Sequence, residues 1–372
     1  MNILLINYME TTAPGGINKV VREIAKNLSK MHKITVIQPN PLNLPKKEFY
    51  DGFNIIRIDS SVGKFFYEFN PKLYFYLKEY LKKIDPDIVH VHGYHTLFSL
   101  ETIFTIYKTF PKVPIIFSPH YGIFSHNSLA GKYLWDVHNL IGRYLVKHCD
   151  WIIAASNFEA SNIHTDLHVP NNKIMVISHG VDTIDLKSRM DGNKIKILYV
   201  GYLLELKGIQ YIVKTLNNLI NKNINVNLTI IGEGPYEKDL KKMVNKSNLD
   251  NFIEWKEFIH PNENEKLQRF FRESDVLLLL SKSENYGIVV TEALAMGTPV
   301  IVTKRTALNE FINEPGCYGV EYPPNPCEVA DLIIDVFNSD QKVGPFSNKI
   351  QTWDLVSKEY ETLYENLTQG RD

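Results

Sequence analysis

Cysteines are few in this sequence, and long apolar runs are missing. The 372 residues include only Cys149, Cys317 and Cys327, and this odd number without a repeated spacing indicates neither a disulfide framework nor a metal knuckle. No apolar stretch reaches the ~18 residues that a membrane-spanning helix needs. The N-terminal apolar run is too short for a signal peptide, and no basic segment precedes it. We therefore expect a cytoplasmic protein.

A strong net charge and a dinucleotide fingerprint are also missing. The 41 Lys and Arg residues nearly balance the 42 Asp and Glu residues, and the net charge of −1 disfavours a general nucleic-acid-binding protein. Because no Gly-x-Gly-x-x-Gly occurs, a nicotinamide site is disfavoured. An apolar content of 44% is typical of a soluble globular protein, and the length suffices for two domains with separate cores.

Short apolar runs alternate with helical patterns along the chain. Residues 3–6 and 114–118 are examples of runs that predict strands buried on both faces, and residues 195–200 also have the pattern of a strand. The alternation predicts an α/β fold with a parallel sheet in each half. A charged segment at 185–194, which contains Gly192, is predicted to be a linker.

Residues 274–302 carry the most informative order of elements. An apolar run at 276–280 predicts a buried strand, a polar loop follows, and a helix is predicted from about 287 to 296. In open parallel sheets, ligands bind beyond the carboxyl ends of the strands. The start of a helix presents free N–H groups, which suit a phosphate.

Two glutamates lie in this segment, Glu284 in the loop and Glu292 in the helix, and Gly287 between them permits close approach of a ligand. Both carboxylates can face one ligand, which favours recognition of hydroxyl groups in a sugar or a ribose. The same spacing also fits two solvated glutamates in an ordinary βαβ unit. Spacing alone leaves both interpretations open.

The residues from Ser281 to Val300 carry a resemblance to a known family. The pattern Ser-x-x-Glu-Asn-Tyr-Gly-Ile-Val-x-x-Glu-Ala-Leu-Ala-x-Gly-x-Pro-Val is similar to the signature of family-4 retaining glycosyltransferases with the GT-B fold. The resemblance implies two Rossmann-like domains whose parallel sheets face each other across a cleft, and a C-terminal helix that crosses back to the first domain. The implied limits are 1–184 for the N-terminal acceptor-side domain, 185–194 for the linker, 195–345 for the nucleotide-sugar domain and 346–372 for the returning helix.

The resemblance also implies a reaction. A hexosyl group would move from a UDP- or GDP-sugar donor to a hydroxyl of a glycan or lipid-linked acceptor, with retention of anomeric configuration. The leaving phosphate would assist deprotonation of the acceptor, so no carboxylate nucleophile is named. Neither a cofactor nor a required metal is expected.

Site residues carry over from the family position by position. Glu284 is expected to contact the sugar hydroxyls, Glu292 the ribose hydroxyls and Lys207 the diphosphate. The further donor-binding positions, some of them through backbone N–H groups, are Gly16, Tyr202, Ile259, Asn285, Tyr286, Gly287, Ile288 and Val289.

A histidine follows the strand predicted at 114–118. His120 lies at the carboxyl end of this strand, where ligands bind in parallel sheets. The ordinary pKa of histidine suits a proton shuttle or a donor to a developing charge. The resemblance implies that His120 contacts the donor sugar near its anomeric centre.

One position departs from the family pattern in a way that bears on catalysis. Tyr202 stands where the family has an arginine that neutralises the leaving diphosphate, and a phenol supplies no charge. The cations that could replace the arginine are Lys19, Arg22, Lys282 and Lys304. A glycine pair that many relatives have after residue 303 is also missing. Two alternatives therefore stay open, a catalytically weakened nucleotide-sugar-binding subunit and a same-fold nucleotide-sugar epimerase.

Residues 65–84 are rich in aromatic side chains and lysines. A core-facing helix explains part of this segment. The alternative is a surface that touches lipid head groups at the cytoplasmic face of a membrane, with Lys82 and Lys83 exposed.

Two further patterns could suggest a metal site. Asp85-Pro86-Asp87 precedes a predicted strand rather than following one, so we interpret it as a structural turn. His90 and His92 share one face of that strand and His95 lies beyond it, with no carboxylate nearby to complete a ligand set. We expect core or acceptor-side histidines.

Overall fold

The computed structural model describes residues 1–40, 43–59, 72–122, 129–186, 193–339, 343–344, 346–347 and 349–369, with the backbone alone for 129–132. The chain divides into two compact units, Met1–His179 with Trp353–Asp372, and Gly180–Thr352. Each unit contains one sheet with helices, so the predicted α/β architecture with two parallel-sheet domains is confirmed. The domain limits given above stay predictions, and part of the predicted linker lies outside the described residues.

The sheet of the first unit has eight strands among the described residues. They are β1 (Asn2–Ile6), β2 (Lys33–Pro39), β3 (Lys47–Tyr50), β4 (Phe53–Ile58), β5 (Ile88–His92), β6 (Ile115–Ser118), β7 (Trp151–Ala154) and β8 (Ile174–Val176). Their order is β3-β4-β2-β1-β5-β6-β7-β8, and only the β3–β4 pair is antiparallel. The predicted apolar run at 3–6 forms most of β1 and has no exposed surface, because β1 lies inside the sheet.

Five α-helices of the described residues connect these strands. They are α1 (Gly16–Leu28), α2 (Leu73–Ile84), α3 (Leu97–Thr109), α4 (Leu129–Val146) and α5 (Asn157–Leu167). In α2, Leu73, Leu77 and Leu81 are buried, which confirms a core-facing helix in the second part of the segment 65–84. The first part of that segment lies outside the described residues.

The second unit contains a six-stranded sheet, all of it parallel within the described part of the chain. Its strands are β9 (Ile195–Val200), β10 (Val226–Ile231), β11 (Ile253–Lys256), β12 (Val276–Leu279), β13 (Val300–Thr303) and β14 (Cys317–Val320), in the order β11-β10-β9-β12-β13-β14. The helices are α6 (Ile209–Asn221), α7 (Glu237–Lys246), α8 (Asn264–Glu273), α9 (Ile288–Ala295) and α10 (Pro326–Asn338).

The chain then returns to the first unit in α11 (Trp353–Gln369), as predicted. This helix packs against α1, and Trp353, Tyr360 and Tyr364 are buried. Across the described parts of the chain, no helix combines the length and the apolar content that spanning a membrane requires.

Candidate functional site

In the second unit, the direction of winding reverses at β9. The next strand along the chain, β10, lies on one side of β9, whereas β12 lies on the other side. The connections that leave the carboxyl ends of β9 and β12 therefore lie side by side, which is where ligands bind in open parallel sheets. The first connection contains Lys207 and the second contains Glu284.

These two side chains meet. Nζ of Lys207 donates a hydrogen bond to Oε1 of Glu284 over 2.6 Å, and the hydroxyl of Ser281 donates to the same oxygen over 3.1 Å. The side chains are 24% and 12% exposed, so the pair is reachable from solvent. Among the described residues, Oε2 of Glu284 accepts no hydrogen bond. The carboxylate is therefore held through one oxygen while the other can accept from a ligand hydroxyl.

Backbone contacts hold the two connections together. The N–H of Lys282 donates to the carbonyl of Leu206 over 2.7 Å. Gly208 has φ of 75°, and a Cβ there would come within 1.9 Å of the carbonyl oxygen of Leu280. Only glycine permits this approach, so the sequence Lys207-Gly208 places the lysine directly against the end of β12.

The N-terminus of α9 completes this edge of the sheet. Its N-cap Gly287 has φ of 95°, and a Cβ there would lie 2.4 Å from Cδ2 of Leu308. The first N–H groups of a helix have no acceptor within it, and α9 has no acidic residue in its first turn. Such a terminus favours an anion. Glu292 follows in the second turn and is partly buried.

The other predicted donor positions of this unit differ in exposure. Tyr286 is only 4% exposed, its ring packs edge-on against Phe311 at 5.3 Å, and its hydroxyl donates to the carbonyl of Lys349 over 3.3 Å. Its side chain is thus part of the core, and only its backbone remains for a ligand. The positions that are partly exposed are Ile259, Asn285, Ile288 and Val289.

Tyr202 follows β9, where the family pattern has an arginine. Its ring is 40% exposed and packs edge-on against Phe258 at 4.7 Å, and its carbonyl accepts from the hydroxyl of Tyr199 over 2.8 Å. Burial, and then the nearby Glu233, raise the pKa of the Tyr202 phenol. The phenol therefore stays neutral and can donate one hydrogen bond without supplying charge.

The four cations that could replace the arginine are in different situations. Arg22 is buried and donates to the carbonyl of Thr11 over 3.0 Å, and Lys304 forms an ion pair with Glu321 at 3.1 Å. Lys19 is partly buried on α1. The side chain of Lys282 is exposed and has no ion pair or hydrogen bond within the described parts of the chain. Lys282 lies in the connection after β12, and its backbone N–H donates to the carbonyl of Leu206, the residue before Lys207.

The first unit has a corresponding reversal at β1, which lies between β2 and β5. The connection after β1 leads into α1 through Gly15, the N-cap, with φ of 137°. Gly16, predicted to contact the donor, is the first residue of α1 and is exposed. Among the described residues, no side chain caps this helix start or that of α9, so their first N–H groups lack a side-chain acceptor there.

A buried polar network that the sequence analysis missed anchors this connection. Nε and Nη2 of Arg57 donate to the two oxygens of Glu10 over 2.8 and 2.9 Å, and Nε2 of Gln38 also donates to Glu10 over 2.6 Å. Burial raises the pKa of Glu10, but the hydrogen bonds from Arg57, Thr12 and Gln38 outweigh it and hold that pKa below its usual range. The carboxylate is therefore charged, and the ion pair ties the β1–α1 connection to β4.

His120 follows β6, as predicted, in an unusual conformation. Its φ is 48°, in the left-handed region, and its side chain is buried. Nδ1 of His92 lies 3.2 Å from Nε2 of His120, so these two atoms share one proton and the two rings adopt complementary tautomers. Burial, and then the nearby His95, lower the pKa of His120 to about 3. His120 is therefore a neutral hydrogen-bonding group, and it does not titrate near neutrality as its residue type suggested.

Neighbouring groups hold the turn at His120. Nε2 of His95 lies 3.3 Å from the carbonyl oxygen of His120, and Glu159 accepts from the N–H of Tyr121 over 2.5 Å and of Ala155 over 2.7 Å. Burial raises the pKa of Glu159 to about 7, although these backbone hydrogen bonds act to lower it. Glu159 was not among the residues predicted from the sequence, although Ser156-Asn157-Phe158-Glu159 has the pattern of a capping box that could have indicated a helix start there.

The remaining predicted histidines lie in the core. His90 contacts the hydroxyl of Tyr364 at 2.6 Å and that of Ser118 at 2.8 Å, and its ring lies 4.0 Å from the ring of His92. His90 and His92 have no exposed surface. Within the described residues, no group of three or more His, Cys, Asp or Glu side chains could hold a metal ion.

Comparison with known proteins relates both halves of the chain to one class of enzyme. Residues 181–353 match the glycosyl transferases of group 1, and residues 14–184 match glycosyltransferase family 4. An alpha-monoglucosyldiacylglycerol synthase from Acholeplasma laidlawii is 24% identical over 367 residues, which are 90% of this chain and 89% of the relative.

Solved structures share the fold. A sucrose-phosphate synthase from Thermosynechococcus elongatus has a TM-score of 0.81 at 18% identity and covers 99% of both chains. HepE from Anabaena, in a complex with UDP-glucose, has a TM-score of 0.70 at 14% identity over 99% of this chain and 97% of the other.

Proposed function

The chain belongs to the group 1, family 4 glycosyltransferases of the GT-B fold, which act on nucleotide sugars, and from this membership we propose a specific reaction. A hexosyl group moves from a UDP- or GDP-hexose to a hydroxyl of a glycan or lipid-linked acceptor, with retention of configuration. The observation that carries the proposal is the pair of Lys207 and Glu284 beside the N-terminus of α9. This edge of the sheet combines a cation, a helix start that suits a phosphate and a carboxylate oxygen that can accept from hydroxyl groups.

The bond between the anomeric carbon and the diphosphate oxygen breaks, and a bond to the acceptor oxygen forms on the same face of the sugar. The acceptor proton passes to the leaving phosphate oxygen. Lys207 and the N–H groups of the first turn of α9 stabilise the charge on the diphosphate. Oε2 of Glu284 accepts from sugar hydroxyls, and Glu292 accepts from the ribose hydroxyls.

His120 donates a hydrogen bond to the reacting sugar in this proposal. Because its pKa is lowered to about 3, it acts as a neutral donor throughout the physiological pH range. Lysines provide the positive charge at the diphosphate, so turnover is expected to persist in EDTA. Uridine is the first base to test, because HepE was solved with UDP-glucose, and the lipid acceptor is suggested by the name of the Acholeplasma relative.

The test is a thermal-shift panel of UDP, GDP, ADP and their hexose conjugates on the native chain, on Glu292→Ala and on Glu265→Ala. Ligand binding to the native state raises the melting temperature with ln(1 + [L]/Kd). We expect one nucleotide to stabilise the native chain and Glu265→Ala, whose exposed side chain lies on α8, but not Glu292→Ala. Equal stabilisation of all three proteins would contradict the proposed role of Glu292.

Retention is tested separately. Once an acceptor is found, the anomeric configuration of the first product is read by NMR from the coupling constant of the anomeric proton. The same configuration as in the donor supports the proposal, and the opposite configuration refutes it.

A second candidate function is favoured by Tyr202 alone. Because the phenol supplies no charge to the leaving diphosphate, the chain could bind a nucleotide sugar without turning it over. Stabilisation by a nucleotide sugar with neither transfer nor hydrolysis, in the presence of a panel of glycan and lipid acceptors, would support this candidate.

A further inference from the structure

Four buried histidines of the first unit lie in one row. The ring centroids of His90 and His92 are 4.0 Å apart. From His92 the row continues to His120 at 5.4 Å and then to His179 at 5.8 Å. All four side chains are buried, and we call these residues the histidine row.

One face of α11 lies along the histidine row. Its residues Trp353, Ser357, Tyr360 and Tyr364 are at most 4% exposed, and spacings of three and four residues put them on one side of the helix. The hydroxyl of Tyr364 lies 2.6 Å from Nδ1 of His90, and the ring of Tyr360 lies 5.6 Å from the ring of His90. This part of α11 therefore packs on the first residue of the row.

The first turn of α11 packs on the other end of the row. The ring of Trp353 is stacked on the ring of His179, with 6.3 Å between the centroids. Ser357 follows one turn later and precedes the part of α11 that contacts His90. Ser357 therefore faces the middle of the row, where His92 lies.

Three buried polar atoms in this region have no hydrogen-bond partner among the described residues. They are Nε2 of His92, Nε1 of Trp353 and the hydroxyl oxygen of Ser357. Buried polar groups are almost always paired, either with protein groups or with an ordered water. A buried water ordinarily makes about three hydrogen bonds, which is the number of atoms that lack a partner here.

The protonation of His92 bears on that of His120. Burial, and then the neighbouring histidines, lower the pKa of His92 well below its ordinary value. His92 is therefore neutral, and only one of its ring nitrogens carries a proton. Because Nδ1 of His92 lies 3.2 Å from Nε2 of His120, the choice of nitrogen on His92 decides which nitrogen of His120 is protonated.

We propose that a buried water between α11 and His92 fixes the tautomer of His120. Nε1 of Trp353 and the hydroxyl of Ser357 donate to this water, which we call the bridging water, and occupy its two acceptor positions. The bridging water then donates to Nε2 of His92, so the proton of His92 lies on Nδ1 and is donated to Nε2 of His120. Nδ1 of His120 consequently carries the proton that it donates to the sugar in the proposed function.

The opposite tautomers would not support that donation. With a proton on Nε2 of His92, Nδ1 of His92 would accept from Nε2 of His120, and Nδ1 of His120 would be a bare acceptor. Ser357 and Trp353 are thus positioning residues that act through His92. This inference rests on the proposed function for the role of His120, whereas the tautomers are measurable without a donor.

The first test reads the tautomers by NMR of the full chain with isotope-labelled histidine and no ligand. Long-range correlations of the ring nitrogens distinguish a protonated nitrogen from a bare one, and His92→Phe and His120→Phe assign the signals. We expect a bare Nε2 on His92 and a protonated Nδ1 on His120. The double variant Trp353→Phe with Ser357→Ala removes both donors of α11 and should give a mixture of tautomers at both histidines.

The second test is kinetic. The double variant should lower kcat about three- to tenfold with an unchanged KM for the donor, because the donor still binds while only part of the molecules have the productive tautomer. Ser357→Ala should have a smaller effect, and Ser357→Thr, which keeps a hydroxyl, should retain most of the native kcat. In the background of His92→Phe, the double variant should cause no further loss, because the link from α11 to His120 is already broken.

Tyr364→Phe is the matched control. It removes another buried hydroxyl from the same face of α11, but this hydroxyl contacts His90 rather than His92. The tautomers of His92 and His120 should stay as in the native chain, and so should kcat. The melting temperature of each variant verifies that it is folded.

Three results would overturn the proposal. They are a protonated Nε2 on His92 in the native chain, unchanged tautomers in the double variant, or a loss of kcat that is as large in the His92→Phe background as in the native one. Mixed tautomers with an unchanged kcat would refute the role of His120 as the donor to the sugar. The expected tautomers in a chain that no nucleotide stabilises would refute the proposed donor site and leave the control of the tautomer by α11 intact.

Discussion

Lys207 and Glu284 lie 77 residues apart in the chain, and yet Nζ of the lysine donates to Oε1 of the glutamate over 2.6 Å. The contact exists because β9 and β12 are neighbours in the sheet, with Leu277 opposite Leu198. Ser281 donates to the same carboxylate oxygen, so two donors orient Glu284 before any ligand binds.

Replacing either partner should therefore reduce catalysis more than stability. We expect Lys207→Met and Glu284→Gln each to lower kcat/KM about 100- to 1,000-fold, because charge stabilisation or sugar orientation is lost. The free energy of unfolding should fall by about 1–3 kcal/mol, because the side chains are only 24% and 12% exposed and the group that remains loses its partner. Steady-state kinetics and chemical unfolding measure the two effects.

The double variant Lys207→Met with Glu284→Gln tests whether the two residues act together. If the two residues act as a unit, the double variant should lose little more than the worse single variant. Lys222→Met removes a more exposed ion pair, with Asp331, and should leave kcat/KM unchanged. Multiplicative losses in the double variant would show that the two side chains act independently.

Tyr202→Arg should increase turnover. The arginine would restore positive charge beside the leaving diphosphate, and we expect kcat to rise about tenfold, equivalent to ~1.4 kcal/mol of transition-state stabilisation. Lys282→Ala should lower kcat in the native background and have a smaller effect in Tyr202→Arg, because one cation then substitutes for the other.

Tyr202→Phe is the control for the ring itself. It keeps the packing against Phe258 and removes only the hydroxyl. A fall in kcat for both Tyr202 variants would show that the phenol takes part in the reaction.

His92 is predicted to position His120. His92→Phe keeps a ring at this place but removes Nδ1, so the tautomer of His120 is no longer fixed. We expect kcat to fall about tenfold, or ~1.4 kcal/mol, with an unchanged KM for the donor. His138→Phe, which changes another buried histidine that contacts the carbonyl of Tyr94, should leave kcat unchanged. A rise in the donor KM with constant kcat would argue for a role in binding instead.

Acid should destabilise the first unit through its buried histidines. Burial lowers the pKa of His90 and His120 to about 3 and that of His95 to about 4. In the unfolded chain these histidines bind protons near pH 6.5. The stability that they contribute is therefore present above pH 6.5 and is lost as the pH falls toward the pKa values of the folded state. Each histidine contributes about 1.4 kcal/mol per pH unit within this window.

Chemical unfolding between pH 7.5 and pH 5, followed by tryptophan fluorescence, measures this slope. His95→Phe should reduce the slope by about one proton. Replacement of the exposed His260 by Gln is the matched control and should leave the slope unchanged. A stability that is constant across this range would contradict the prediction.

Arg57→Met should destabilise the first unit strongly. It leaves the buried carboxylate of Glu10 without its bidentate partner, and loss of one member of a buried ion pair lowers the free energy of unfolding by about 3–5 kcal/mol. The double variant Arg57→Met with Glu10→Leu should recover part of this loss. Arg269→Met, at an exposed ion pair with Glu273, should have no measurable effect.

Much of the fold could be predicted because the signals are local. The run at 276–280 has the composition of a strand buried on both faces, and β12 (Val276–Leu279) is buried throughout. Gly287 marked the start of a helix, and α9 begins at Ile288. The antiparallel edge strand β3 was missed, because only four residues alternate there between partial and full exposure.

The sequence by itself determined the kind and order of most elements, the glycine-capped helix starts and the motif that relates the chain to its family. Only the tertiary structure decided that Lys207 meets Glu284, that the ring of Tyr286 packs inward, and that His120 is neutral. Periodicity reports which side chains are apolar along one element. The order of strands in a sheet, and the burial that shifts a pKa, depend on elements far apart in the chain that pack around the same point.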